Sequence, residues 1–194
     1  QTELCADMNE AFSQSFTMKG VLYLMDGKTY RAVRKSSKNT AWEAVSVSGT
    51  AYVPTTTISA APTGGGTSYE AVNLLTPKRI NTFIGDGTAT QFKVDATDLD
   101  ETAVTAEVNG SAVTVSAVNR STGLVTLAAA PANGNGLANV SIAFAKTVSG
   151  YADKINKCRF AGLYGGKNDT RVFLSGNPDE PDCDWQSGLY DPTY

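Results

Sequence analysis

The sequence predicts an all-β protein in which a small Ig-like, antiparallel β-sandwich (residues 80–147) is inserted into a second β unit. Residues 1–79 and 148–194 supply the two parts of that second unit. Three observations carry the expectation. Apolar and polar residues alternate with period two through residues 80–147. Turn signals punctuate that stretch about every 8–12 residues, the spacing of sandwich strands. No segment sustains a helical period.

Taken in order, Gln1 to Thr17 offers at most one helical turn, around Met8–Phe12. Gly20–Met25 and Lys28–Val33 are β-rich runs on either side of Asp26-Gly27, which reads as a hairpin. Ala41–Val47 and Gly49–Val53 give further short strands, and Pro54 stops the ladder because it has no N–H to donate. Thr55–Thr67 is a connection broken by Pro62 and Gly64-Gly65-Gly66. Its glycines lack the P-loop and dinucleotide-binding spacings, and no helix pattern follows on which a phosphate could sit.

From Ile80 the pattern sharpens. Gly85-Asp86-Gly87 is a turn, and Phe92 and Val94 alternate with Gln91 and Lys93. Val104, Ala106 and Val108 lead into Asn109-Gly110, a dipeptide suited to the two positive φ angles of a type I′ turn. Val113 and Val115 return, Arg120–Gly123 turns again, and Val125, Leu127, Val140, Ile142 and Phe144 complete the set. Beyond Lys146, Asp153–Arg159 is mixed. Phe160–Tyr164 and Thr170–Ser175 read as strands around Gly165–Asp169, and Gly176–Tyr194 as a Pro/Asp-rich arm. If the sandwich is an insertion, Val21–Met25 and Arg171–Ser175 must meet in space.

Composition narrows the function. With 41% hydrophobic and 18% charged residues, the chain is too apolar to be disordered. A net charge of −3 without a basic run argues against nucleic-acid sequence recognition. No apolar stretch is long enough for a membrane span, and Glu3 and Asp7 interrupt any secretory signal at the N-terminus. The start at Gln1 and the stop at Tyr194 read as the ends of a fragment of a longer polypeptide.

The sequence contains no histidine. That removes Ser-His-Asp and Cys-His nucleophile systems and histidine metal sites together, so the expectation is no enzyme, no catalytic residues and no cofactor. Cys5, Cys158 and Cys183 form no CxxC motif. They are read as free thiols, with a Cys158–Cys183 disulfide as the alternative.

Two acidic clusters stand out. Asp95, Asp98, Asp100 and Glu101 do not match a calcium-loop spacing and read as a solvated turn. Asp179, Glu180, Asp182 and Asp184 could take a cation or pair with Lys or Arg of a neighbouring subunit, but a solvated loop is the preferred reading. No metal-binding residue is assigned. Trp42, Trp185, Tyr164 and Tyr190 could stack on sugar, though packing or subunit contact explains each more simply.

Several phrases together resemble structural proteins from the tail and neck gene regions of phages and prophages of Gram-positive gut bacteria. They are Gly20–Gly27, Ala51–Thr56, Gly64-Gly65-Gly66 with Glu70, Asn73–Pro77, Phe83–Gly87, Arg171–Pro178 and Asp191–Tyr194. The resemblance implies a propeller-like body, here partial or irregular, carrying the inserted sandwich. It implies a virion component of the nozzle, neck or baseplate, made in the bacterial cytoplasm. Its partners would be other tail or neck proteins and further copies of itself in a ring. The alternative is a carbohydrate-binding module that contacts a host surface glycan.

Overall fold

The structure is a computed structural model that describes residues 3–9, 12–37, 40–58, 72–166 and 169–194. Among the described residues it is all-β, built from four sheets and one short α-helix. The chain separates into two compact units. One comprises Gln1–Tyr52, Leu74–Thr76 and Ser149–Tyr194, the other Val53–Asn73 and Pro77–Val148.

The first unit opens with an antiparallel meander of β1 (Gln14–Met18), β2 (Val21–Met25), β3 (Tyr30–Lys35) and β4 (Trp42–Ser46), hydrogen-bonded in that order. The Asp26-Gly27 hairpin forms as expected. Asp26 is fully buried, and its carboxylate accepts the N–H groups of Lys28 (3.0 Å) and Thr29 (2.7 Å). It also accepts the N–H of Asn9 at 2.9 Å.

That last bond bears on the helical turn expected around Met8–Phe12. The described residues there carry no helix, because Asn9 is drawn to the hairpin instead; Glu10 and Ala11 lie outside the described residues. Strand β1 follows where no strand was expected, its Phe16 and Met18 facing in and Ser15 and Thr17 out. At the other end of the meander, Val47–Thr50 is a 3-10 turn and not a strand. Val47 is fully buried, Thr50 bonds back to its carbonyl, and Tyr52 N–H goes to the Thr193 carbonyl at 3.1 Å.

The second unit holds β5 (Thr55–Thr57), β6 (Lys78–Phe83), β7 (Gln91–Lys93), β8 (Thr105–Val108), β9 (Ser111–Val113), β10 (Val115–Asn119), β11 (Leu124–Leu127) and β12 (Val140–Ala145). They form a five-stranded sheet ordered β5-β6-β12-β8-β9 and a three-stranded sheet ordered β10-β11-β7. Phe83, Ala106, Val140, Ile142 and Phe144 from the first and Phe92, Val125 and Leu127 from the second share one buried core. This is the two-layer sandwich that the alternation predicted.

Its boundary differs from residue 80. Strand β5 pairs in parallel with β6, Thr55 opposite Ile80, and the Pro54 carbonyl accepts the Ile80 N–H at 3.0 Å. Pro54 therefore does not end the ladder. On an edge strand its missing N–H is no loss. Pro62, Gly64-Gly65-Gly66 and Glu70 lie outside the described residues.

Asn109 (φ 51°) and Gly110 (φ 76°) make the β8–β9 turn. Gly123 has φ 73°, and a Cβ there would sit 2.0 Å from the Ala96 carbonyl oxygen, so only glycine fits.

Returning to the first unit, α1 (Tyr151–Asn156) occupies part of the stretch that read as mixed. Then come β13 (Phe160–Tyr164), β14 (Arg171–Ser175) and β15 (Trp185–Gln186), an antiparallel sheet in that order. The core holds Tyr23, Met25, Tyr30 and Ala32 from the meander together with Val172 and Leu174 from β14, and also Ile155 and Cys158. Val21–Met25 and Arg171–Ser175 thus meet through side chains in a shared core and not as paired strands.

The arm expected at Gly176–Tyr194 is instead folded onto its own unit. Strand β15 pairs with β14, Tyr190 N–H bonds the Thr170 carbonyl, and Pro192 is buried with its carbonyl held by Tyr30.

Candidate interaction surface

Directly opposed residues of an antiparallel pair share a face, so the register sorts each sheet of the first unit into an inner and an outer side. On β13 and β14 the outer rows are Phe160 with Ser175, Gly162 with Phe173, and Tyr164 with Arg171. Phe160 is 54% exposed and Tyr164 78%. Gly162 brings no side chain, and the Tyr164 ring meets Phe173 edge-on at 6.1 Å. Arg171 is held beside them by Asp169 at 3.2 Å. This is a row of aromatic rings facing solvent.

The meander has an outer side too. Exposed Leu22, buried Val33 and half-buried Ala44 form one row and Lys35 and Trp42 another. Trp42 is 56% exposed, with the Lys35 ammonium 5.9 Å from its ring centre. The first unit is therefore apolar on the inner side of both sheets, where the core lies, and partly apolar on both outer sides as well. Large exposed aromatics in rows cost free energy in water and mark surfaces that other surfaces cover.

Two carboxylates of the first acidic cluster, those of Asp100 and Glu101, are used internally. Asp100 accepts the N–H and hydroxyl of Thr147, at 2.8 and 2.7 Å. Glu101 pairs with Arg120 at 3.0 Å, and Arg120 also donates to the carbonyls of Asp100 and Thr102. Lys146 reaches the Asp98 carbonyl, and the Asp95 N–H is bonded to Asn81. These bonds pin turns of the sandwich.

In the second cluster, Glu180 pairs with Lys154 at 2.7 Å and Asp179 with Lys157 at 2.6 Å, both lysines on or beside α1. The lysine hydrogen bonds to these carboxylates hold both ammonium pKa values up. Asp179 and Glu180 are thus paired within the chain rather than simply solvated, whereas Asp182 and Asp184 are exposed, as a solvated loop expects. Among the described residues, no three His, Cys, Asp or Glu side chains converge as metal ligands.

All three cysteines are free, which corrects the disulfide alternative. Cys158 is fully buried, with its thiol on the Lys154 carbonyl, whereas Cys183 is exposed. Burial, helped by the charges of Asp184 and Glu180, pushes the Cys158 thiol up to about 12. It is a packing residue.

The four aromatics proposed for sugar stacking do not form one platform. Trp42 and Tyr164 stand on different sheets, Trp185 packs against the core, and Tyr190 is half-buried. In the sandwich Phe83, Phe92 and Phe144 are all buried, and Leu137 is the exposed large hydrophobic among the described residues.

Phe160 and Phe173 were not singled out from the sequence, although a signal was present. β13 reads apolar at both alternating sets, Phe160 and Tyr164 on one side and Ala161 and Leu163 on the other. A strand apolar on both sides expects cover on both. Comparisons of the chain with family models, curated proteins and solved structures return no match.

Proposed function

We propose that the chain is a structural component of a phage or prophage tail (nozzle, neck or baseplate) that acts through subunit assembly and not through catalysis. The observation that carries this reading is the pair of apolar outer sides on the first unit. A four-stranded antiparallel meander has the connectivity of a propeller blade, and blades are covered on both sides by their neighbours. Here the flanking cover comes from other copies or from other tail proteins. A closed ring covers the flanks of every copy equally, whereas an open array leaves two uncovered ends.

Virion localisation and partnership with neck or tail proteins belong to the same reading. The alternative, recognition of host glycan by the sandwich, has less support, since its aromatic rings are occupied in its own core.

Sedimentation velocity across a concentration series tests the proposal. The intact chain associates as concentration rises, and a Phe160→Ser/Tyr164→Ser double variant with unchanged circular dichroism associates more weakly. A chain that stays monomeric at every concentration removes the ring.

A further inference from the structure

The sequence contains three Asn-Gly dipeptides, at 109–110, 133–134 and 135–136, all in the sandwich. Their surroundings differ. Gly110 and Gly136 have open space where a side chain would stand, with nothing within 4 Å. Asn109 and Asn135 are exposed, each at φ 51°.

Gly134 is the opposite case. Its N–H donates to the Gly85 carbonyl at 2.9 Å, and the Leu137 carbonyl oxygen lies 2.3 Å from where its Cβ would be. The side-chain oxygen of Asn133 is engaged as well, accepting the Asn135 N–H at 2.8 Å. Asn139 locks this packing by bonding Gly85 N–H and the Ala132 carbonyl, each at 2.8 Å.

We infer that Asn109 and Asn135 are sites of self-modification by deamidation and that Asn133 is protected by the fold. The glycine nitrogen gives up its proton to solvent base and attacks Cγ of the preceding asparagine. A nitrogen–carbon bond forms, the side-chain nitrogen leaves as ammonia, and a five-membered imide remains. Water then opens the ring at either carbonyl to give aspartate or isoaspartate, with no change of oxidation state.

At Gly110 and Gly136 the space beside the attacking nitrogen is open, with nothing within 4 Å of where a Cβ would stand. At Gly134 a hydrogen bond must first break and a packed loop must open. Asn109 N–H bonds the Asn139 carbonyl at 2.8 Å, so both reactive turns lie at one end of the sandwich. Each event there places a new carboxylate on a chain whose net charge is already −3.

The test is incubation of the full chain at mildly alkaline pH, followed by peptide mapping and isoaspartate-specific methylation, with a parallel sample in concentrated urea. In the folded chain Asn133 converts about tenfold more slowly than Asn109 and Asn135, or slower still. In urea the three rates converge. Conversion of Asn133 in the folded chain at the rate of its neighbours overturns the inference. So does failure of Asn109 or Asn135 to convert in the folded chain.

Discussion

Tyr30 donates its hydroxyl to the Pro192 carbonyl at 3.0 Å, a buried bond across 162 positions of sequence that ties β3 to the last residues of the chain. The ring packs with Phe16 and Tyr23 in the first unit's core. Burial, with Tyr23 and Asp191 adding to it, raises the Tyr30 pKa and keeps the phenol a donor. Tyr30→Phe keeps the ring and leaves the carbonyl unsatisfied. It should cost about 1–3 kcal/mol in urea unfolding, with faster hydrogen exchange at the Tyr52 and Tyr190 amides.

The same bond shows where sequence reading stops. Gly176–Tyr194 is rich in Pro, Gly and Asp, and local chemistry alone makes it a loop. Its order comes from partners far away in sequence: Tyr30, the Thr170 carbonyl and the Tyr52 N–H. The helix α1 was invisible for a different reason, since six residues with only Ile155 buried show no period.

The sandwich was legible because each alternation, from Phe92 to Phe144, is local and the apolar residues of its strands pack into one core. β5 escaped because its pairing with β6 is parallel and set by a distant segment. The aromatic row of β13 and β14 was written in the sequence as a strand apolar on both sides. Which side stays exposed depends on the core chosen by Val172 and Leu174.

Asp26 should give the first unit an acid-sensitive stability. Burial pushes its pKa up, but hydrogen bonds from Asn9, Thr29 and Lys28 outweigh that and hold it below the ordinary aspartate range. A depressed carboxylate contributes its full stability above its unfolded value of about 3.9 and loses it as pH falls through the lower folded value. Urea midpoints followed from neutral pH to about pH 2 should show this loss. Asp26→Asn should flatten the profile and cost about 1–3 kcal/mol at neutral pH.

Two glycine substitutions should separate conformational strain from collision. Gly123→Ala meets both a positive φ and the Ala96 carbonyl, and should destabilise the sandwich by about 3 kcal/mol or more. Gly110→Ala meets the positive φ alone and should cost about 1 kcal/mol. Chemical denaturation of both variants checks the ordering, and equal losses would rule out the close approach at Gly123.

Thiol labelling should divide the cysteines. Exposed Cys183 should react with a disulfide reagent at mildly alkaline pH in the folded chain, while Cys158 should react only after denaturation. Cys158→Ala should lower stability by about 1 kcal/mol through lost packing, without altering association.

A photo-crosslinking residue at position 164, in particles assembled with the substituted chain, probes the outer face where it would be covered. Tyr164 stands 78% exposed beside Phe173, so the expected product is a covalent link to a neighbouring protein chain of the particle. Absence of the chain from purified particles, or its incorporation with position 164 left unlinked, would contradict assembly through this face.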